Sequence, residues 1–184
     1  MVTISHFEEP GRINRDATDS ANFWVPMEIY STVLDRMVIT CVDLLFIHNG
    51  KVLLGRRNGD PINGWWVIGG RMFAGESPID AVQRKAKEEA GLSIGRSPIQ
   101  FLGVYSTAFA TRRQPPVEHG LHSVNLAHII TVTSTEKAQI ALTKAEYDTW
   151  AWVSQSDINT LLDPTRSLDQ FVHRMVTDCW NAMA

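Results

Sequence analysis

Apolar residues fall into short continuous runs in some parts of the chain and into helical spacings in others, which predicts a mixed α/β fold. A buried strand is predicted over 39–47, where β-branched and apolar residues are nearly continuous. His48-Asn-Gly indicates a hairpin turn that leads into a returning strand over 51–57. Further strands are predicted over 65–70, 99–106, 122–133 and 149–153, with loops over 58–64 and 107–121.

The clearest predicted helix begins after Ser77 and ends before Gly91. Ser77 is a favourable N-cap, Pro78 stands at the first helical position, and Gly91 is a typical C-terminal stop. Its core-facing stripe is predicted to be Ile79, Val82, Ala86 and Ala90. Other helices are predicted over 26–37, 156–162 and 167–183. The last carries an apolar stripe that favours core packing over a partner surface: Leu168, Phe171, Val172, Met175, Cys179, Trp180 and Met183.

Composition narrows the class of protein. The 184 residues predict one domain over 26–184, preceded by a polar arm over 1–25. A net charge of −3 and the scattered Lys and Arg residues argue against a nucleic-acid surface. Neither a secretion signal nor a membrane span is visible, so a cytoplasmic protein is expected. Cys41 and Cys179 each lie in an apolar run, which favours free thiols over a disulfide.

Candidate chemistry is concentrated in the predicted helix that follows Ser77. Glu88 and Glu89 place two adjacent carboxylates in one helical turn, and a hard divalent cation such as Mg²⁺ prefers such oxygens. The alternative is a solvated helix face, the more common role of neighbouring charges. Glu76 and Arg84 can pair at the start of the helix and hold the glycine loop against it. Ala81 and Lys85 are expected on the same side as the two carboxylates, away from the apolar stripe.

The spacing of residues 70–92 resembles the Nudix box, the loop–helix signature of Nudix hydrolases. Six positions match in type and spacing: Gly70, Glu76, Arg84, Glu88, Glu89 and Gly91. The resemblance implies a mixed sheet sandwiched between helices (α/β/α), with an extra C-terminal helix here. It also implies hydrolysis of a nucleoside diphosphate derivative with Mg²⁺ or Mn²⁺. The metal ligands would be Glu88, Glu89 and the backbone carbonyl of Gly69.

One position departs from the family pattern. Where the family usually has Glu directly after the Arg of the box, this chain has Lys85. Lys85 can reach both Glu88 and Glu89, which are three and four residues further along the helix. We expect its ammonium to oppose the binding of a second or third metal ion. This leaves three alternatives: the enzyme works with fewer metal ions, other residues carry out the chemistry, or the protein has lost its activity.

A second resemblance points to the GDP-mannose mannosyl hydrolase branch, which also lacks that Glu. It rests on Leu54-Gly-Arg-Arg-Asn, Gly64-Trp-Trp-Val-Ile-Gly-Gly-Arg, Phe101-Leu-Gly-Val-Tyr and Trp152-Val-Ser. The branch releases GDP and free sugar by attack at the sugar carbon. By position, Asp43, Arg57 and Arg71 would contact the nucleotide and diphosphate, and Glu146 would be a further metal ligand.

The position of the general base departs from the pattern of this branch. Tyr147 stands where the branch has a His, and a phenol of ordinary pKa is a poor base near neutral pH. His119 and His122 are alternatives, although anchoring of the loop is the more common role. The predicted catalytic residues are Glu89, Glu146, Arg71 and Tyr147.

Other residues near the predicted site allow a structural or a functional role. Arg112 and Arg113 can lean over the diphosphate, but a solvated pair is favoured. Trp65 and Trp66 are expected to divide between core and cleft, and Trp150 and Trp152 to share one packed face.

Three hypotheses remain open from the sequence. The first is a hydrolase of a nucleotide sugar that resembles GDP-mannose. The second is an ordinary Nudix pyrophosphohydrolase with attack at phosphorus, favoured by the intact Glu88 and Glu89. The third is a non-catalytic nucleotide-binding module, which Lys85 suggests. The expected partner is a small-molecule nucleotide sugar, or another nucleoside diphosphate derivative under the second hypothesis, and a homodimer is compatible with the C-terminal stripe.

Overall fold

The long apolar run of the sequence forms the central strand of a seven-stranded sheet. The computed structural model describes residues 5–7, 25–94 and 99–183, so most of the predicted arm over 1–25 lies outside the described residues. Strand β1 (Ile39–His48) pairs parallel with β6 (Leu121–Thr131) along one edge. Along its other edge it pairs antiparallel with two strands in turn, β2 (Lys51–Gly59) and β4 (Ile68–Arg71).

The remaining strands extend the sheet on both sides. β5 (Ile99–Phe109) pairs antiparallel with β6, while β3 (Ile62–Trp66) and β7 (Tyr147–Val153) pair antiparallel with the two edges of β2. The β1–β2 hairpin closes through Asn49 and Gly50, both with positive φ, as the sequence predicts.

Helices cover both faces of the sheet. In chain order they are α1 (Met27–Arg36), α2 (Pro78–Ala90), α3 (Ser134–Gln139), α4 (Ile158–Leu161) and α5 (Ser167–Met183), with a 3₁₀ turn at Val117–His119. α2 packs over a core that includes Val42, Leu44 and Phe46, while α5 packs over the opposite core with Leu45 and Ile47. Because β1 is buried on both faces, its sequence is nearly continuously apolar. The predicted α/β/α sandwich with a mixed sheet is therefore confirmed.

Several predicted boundaries were wrong. The loop predicted over 58–64 is short, because β2 continues to Gly59 and β3 begins at Ile62. The strand predicted over 65–70 is divided between β3 and β4. The loop predicted from 107 begins only after Phe109. Helix α3 was not predicted, although Thr133 and Glu136 form a capping box at its start.

The predicted packing faces were correct in part. Val82, Ala86 and Ala90 are buried, but Ile79 is 41% exposed and Ala81 is fully buried. In α5, most of the predicted stripe packs inward, with Met183 exposed at the end. Trp152 is half-buried, whereas Trp150 is exposed.

Both cysteines are free, as predicted. Across the part of the chain that the structure describes, no helix has both the length and the apolarity to cross a bilayer.

Candidate functional site

Local sequence signals fix the ends of α2 and so position its charged last turns. The Ser77 hydroxyl oxygen accepts a hydrogen bond from the backbone N–H of Asp80, and Gly91 adopts a left-handed conformation at φ 69°. Between these caps, Arg84 and Lys85 lie one helical turn before Glu88 and Glu89. Charged groups at this spacing face each other on a helix surface.

The predicted pair of Glu76 and Arg84 is present. Arg84 Nε donates to Glu76 Oε1 at 2.5 Å and its Nη2 donates to Glu76 Oε2 at 2.8 Å. The same Nη2 also donates to the backbone carbonyl of Arg71, and Glu76 Oε2 accepts the N–H of Phe73. A planar guanidinium matches a carboxylate in this two-pronged geometry. The pair therefore holds the loop after β4 against α2.

Lys85 reaches both carboxylates of the box, as predicted. Its Nζ lies 3.3 Å from Glu88 Oε2 and 3.0 Å from Glu89 Oε1. Glu88 is also bound by Arg84 Nη1 at 3.0 Å. The like charges of the two neighbouring carboxylates are thus balanced by cations of the protein itself.

Tyr147 lies behind Glu89 and is fully buried. Its hydroxyl donates to Glu89 Oε2 at 2.6 Å, and Gly55 leaves the space that its ring occupies. Burial, together with the charge of Glu89, raises the pKa of Tyr147 well above its ordinary value. The phenol is held protonated, and Tyr147 does not line the cavity that the other predicted site residues form. The geometry therefore does not support Tyr147 as a base.

One cavity of about 260 Å³ collects most of the predicted site residues. Its charged lining consists of Asp43, Arg57, Arg71, Lys85, Glu89 and Glu146. Apolar and aromatic walls come from α1, β3, β5 and β6, and they include Trp66, which also stacks on Phe171 of α5. The prediction that one of Trp65 and Trp66 faces a cleft is met by Trp66, although it also belongs to the core. Gly69 and Gly70 form part of the lining.

Three residues that line this cavity carry a buried polar atom without a hydrogen-bond partner among the described residues. Asp43 Oδ2, Asn125 Oδ1 and Arg57 Nε have no hydrogen-bond partner among the described residues. Burial, and secondarily the charge of Glu89, raises the pKa of Asp43 to about 7, while the Asn125 side chain opposes that rise. Such groups are costly unless a ligand or water satisfies them, so they point to an occupant of the cavity.

Sequence reasoning missed Asn125. It alternates with apolar neighbours on β6 and pairs in register with Cys41 of β1, so it faces the same side of the sheet as Ser123 and Ala127. A polar residue at a buried position of a period-two pattern is the signal that could have found it.

The arginines of the cavity differ in their partners. Arg57 Nη2 donates to Glu146 Oε2 at 2.5 Å, and the Arg57 guanidinium lies over the Tyr147 ring at 5.5 Å. Arg71 lies 4.7 Å over the Tyr30 ring and forms none of the ion pairs found among the described residues. Among the described contacts, Arg71 is therefore the cation of the cavity most available to an anionic ligand.

The histidines and arginines of the long loop lie elsewhere. His119 Nδ1 contacts Asp35 at 3.0 Å and His122 Nε2 contacts Ser106 at 2.8 Å, in a neighbouring depression. Arg112 was expected to be solvated, but it is fully buried and binds Asp35 at 2.7 Å. The exposed Arg113 fits the solvated prediction. This loop is thus anchored to α1 and supplies no base to the cavity.

The predicted metal ligands do not fit a divalent site in this arrangement. Among the described residues, no group of three His, Cys, Asp or Glu side chains could hold a metal ion. Glu88 and Glu89 are bound by Lys85, and Glu146 is bound by Arg57. A cation placed between carboxylates repels a second cation at the same point. The assignment of Gly69, Glu88, Glu89 and Glu146 as ligands stays a prediction that these contacts do not support.

Comparison with known proteins identifies the class. The family model of the NUDIX domain matches residues 37–175, so the chain belongs to the Nudix family. It resembles the low-salt glycan biosynthesis protein Agl8 of Haloferax volcanii, with 35% identity over 81 residues that cover 44% of this chain and 52% of Agl8. The chain therefore matches about half the length of that relative.

Solved structures share the fold at low sequence identity. The MutT protein of Methanosarcina mazei Go1 has a TM-score of 0.57 at 19% identity and covers 77% of this chain and 95% of its own. The NUDIX domain of Shewanella oneidensis NrtR, complexed with ADP ribose, has a TM-score of 0.56 at 17% identity, covering 94% of this chain and 100% of its own. These likenesses support the mixed sheet between helices described above.

Proposed function

We propose that this protein hydrolyses a nucleoside diphosphate sugar of the GDP-mannose type and releases nucleoside diphosphate and free sugar. The observation that carries the proposal is the cavity itself. It brings Arg57, Arg71 and Lys85 together with Asp43 and Asn125, each of which has a buried oxygen without a hydrogen-bond partner in the described part of the chain. Cations suit a diphosphate, and acceptor oxygens suit the hydroxyl or N–H donors of the groups that the diphosphate joins.

Each polar group of the cavity has a role in this reaction. Arg71 and Lys85 hold the diphosphate, and Arg57 stabilises the negative charge that develops as it leaves. The apolar walls around Trp66 enclose a ring of the nucleotide sugar and exclude water from it. Asp43 and Asn125 fix the orientation of that ring by accepting hydrogen bonds.

Glu146 is the carboxylate best placed to accept the proton of the attacking water. It lines the cavity, and it uses only one of its oxygens for Arg57. By contrast, both oxygens of Glu89 are engaged, by Lys85 and Tyr147. Attack at the sugar carbon would break the bond from that carbon to the diphosphate oxygen, and the water proton would pass to Glu146.

Two comparisons are consistent with this substrate class. Agl8 is named for glycan biosynthesis, and the NrtR domain is complexed with ADP ribose, itself a nucleoside diphosphate sugar. The sequence segments that flank the box resemble those of GDP-mannose mannosyl hydrolases. Among nucleoside diphosphate sugars, this resemblance favours a substrate of the GDP-mannose type.

The test is product analysis in ¹⁸O-labelled water. Purified protein is incubated with GDP-mannose and a panel of other nucleotide sugars, with Mg²⁺ and with EDTA. GDP together with ¹⁸O in the free sugar supports the proposal. Label in the phosphate, with a nucleoside monophosphate as product, would instead establish an ordinary pyrophosphohydrolase. Tight binding without turnover would establish a nucleotide-binding module.

Glu146→Gln separates catalysis from binding within the same experiment. The substitution keeps the shape of the side chain but removes the proton acceptor. We expect kcat to fall by about 10²- to 10⁴-fold, the usual contribution of a general base. The matched control is Glu118→Gln, which changes an exposed carboxylate on the loop outside the cavity. An unchanged kcat in Glu146→Gln would exclude Glu146 as the base.

A further inference from the structure

Lys85 occupies the point where the carboxylates of the box converge beside the cavity. Its Nζ lies within 3.3 Å of one oxygen from each of Glu88 and Glu89, and its side chain lines the cavity. An ammonium has three N–H donors. Two face these carboxylates, which leaves one for an oxygen of the ligand.

Gly70 keeps the approach to Lys85 open. A Cβ at this position would lie 3.0 Å from Lys85 Cε and 3.2 Å from its Nζ. The absence of a side chain thus allows the ammonium to sit against the strand that ends at the cavity. The Lys85 side chain is only 17% exposed, so contacts within the protein fix the position of its ammonium.

The charge balance of the cavity depends on Lys85. The three cations Arg57, Arg71 and Lys85 face the three carboxylates Asp43, Glu89 and Glu146. Without Lys85 only Arg57 and Arg71 would remain as cations of the cavity, and Arg57 is already paired with Glu146. A diphosphate would then meet no excess of positive charge unless a metal ion entered with it.

We propose that Lys85 is a built-in cation that replaces a divalent metal ion in binding the diphosphate of the ligand. The inference rests on the proposed function only in taking a nucleoside diphosphate as the ligand. Its consequence is that GDP binds to this cavity as well in EDTA as in Mg²⁺. Glu88 and Glu89, which were expected to bind a metal ion, form ion pairs with Lys85 because Lys85 takes the place of that ion.

The test is isothermal titration calorimetry with GDP in EDTA and in Mg²⁺. We expect the Kd of the wild-type protein to differ by less than about threefold between the two buffers, a free-energy difference below about 0.7 kcal/mol. Lys85→Gln is expected to weaken binding in EDTA by about tenfold or more, because it removes a charge-assisted contact. Lys87→Gln is the matched control, since it removes an exposed lysine two residues along the same helix.

Lys85→Glu provides a second readout that does not depend on activity. It restores the carboxylate that the Nudix pattern has at this position, so GDP binding should become dependent on Mg²⁺. Electron paramagnetic resonance should then detect Mn²⁺ bound to this variant and not to the wild-type protein. Lys85→Arg keeps the cation and should retain binding in EDTA, and circular dichroism checks that each variant is folded.

The outcomes are distinguishable. Wild-type binding of GDP only with Mg²⁺, or binding by Lys85→Gln in EDTA equal to that of the wild type, would overturn the inference. Metal-dependent release of GDP and sugar would still leave the proposed function standing. Absence of GDP binding in both buffers, with no turnover of any nucleotide sugar, would overturn both.

Discussion

Tyr147 and Glu89 form a buried hydrogen bond that joins β7 to the last turn of α2. The Tyr147 hydroxyl donates to Glu89 Oε2 at 2.6 Å, and the two residues are 1% and 7% exposed. The other oxygen of Glu89 is held by Lys85. This carboxylate, expected to bind a metal, is therefore fixed from both sides by the protein.

Removal of that hydroxyl should destabilise the fold. Tyr147→Phe leaves a buried carboxylate oxygen without a donor, which costs about 1–3 kcal/mol in the free energy of unfolding. Urea denaturation at pH 7 measures the change. Tyr105→Phe is the control, because its hydroxyl donates to Asp178, whose side chain is 25% exposed and accessible to water. Equal losses in the two variants would show that burial of Glu89 does not matter.

Alanine at Gly69 should disrupt the floor of the cavity. A Cβ there would collide with the backbone carbonyl of Val42 and lie 2.9 Å from Asp43 Oδ1. Because a backbone atom in a paired strand cannot move aside cheaply, we expect a loss of about 3 kcal/mol or more. Gly103→Ala is the comparison, since its added Cβ would make only an ordinary contact at 3.6 Å. Thermal unfolding of both variants tests this, and a Gly69→Ala protein as stable as Gly103→Ala would contradict it.

Asp43 should make stability depend on pH. Its pKa rises from 3.8 to about 7 on folding, chiefly because of burial. Between these values the folded state holds a proton that the unfolded chain has released, so the contribution of Asp43 to stability is lost as pH rises through about 7. Asp43→Asn should therefore gain stability relative to the wild type on going from pH 5 to pH 8.

Urea denaturation of both proteins at the two pH values measures that difference. The comparison of variant with wild type cancels the titration of other groups. Asp148→Asn, at an exposed position, should show no such gain. A difference between Asp43→Asn and the wild type that is constant with pH would refute the raised pKa.

The buried Arg112 should control the order of the loop over 110–120. It donates to Asp35 and to the carbonyls of Gln114 and Gly120. Arg112→Gln should lower the thermal midpoint and speed amide hydrogen exchange in this loop, because it leaves these acceptors without their donor. Arg113→Gln, at the exposed neighbour, should change neither quantity. Identical exchange in the two variants would show that Arg112 does not anchor the loop.

Elements whose signals are local could be predicted from the sequence. Continuous apolar residues marked β1, and Ser77 and Gly91 marked the ends of α2, because caps and buried strands act through neighbouring residues. The direction of the apolar face of α2 was harder to predict. Val82, Ala86 and Ala90 are buried as predicted, but the buried face also includes the small Ala81 and leaves Ile79 exposed.

The contacts within the box helix were predictable, but those to distant parts of the chain were not. The spacing of the box located Glu88, Glu89 and Lys85 and predicted that Lys85 reaches both carboxylates, which the structure confirms. Partners distant in sequence could not be inferred. Arg112 is buried because Asp35 of α1 reaches it, and Glu146 is engaged because β2 brings Arg57 beside it.

The parallel pairing of β1 with β6 has a consequence for the order of folding. The β1–β2 hairpin closes through two residues and can form locally, whereas Asp43 and Asn125 meet only when strands from distant parts of the chain associate. Loop closure over such a separation costs entropy before any contact repays it. A ligand that bridges these two side chains binds only the completed sheet, and it therefore shifts the folding equilibrium towards the native protein.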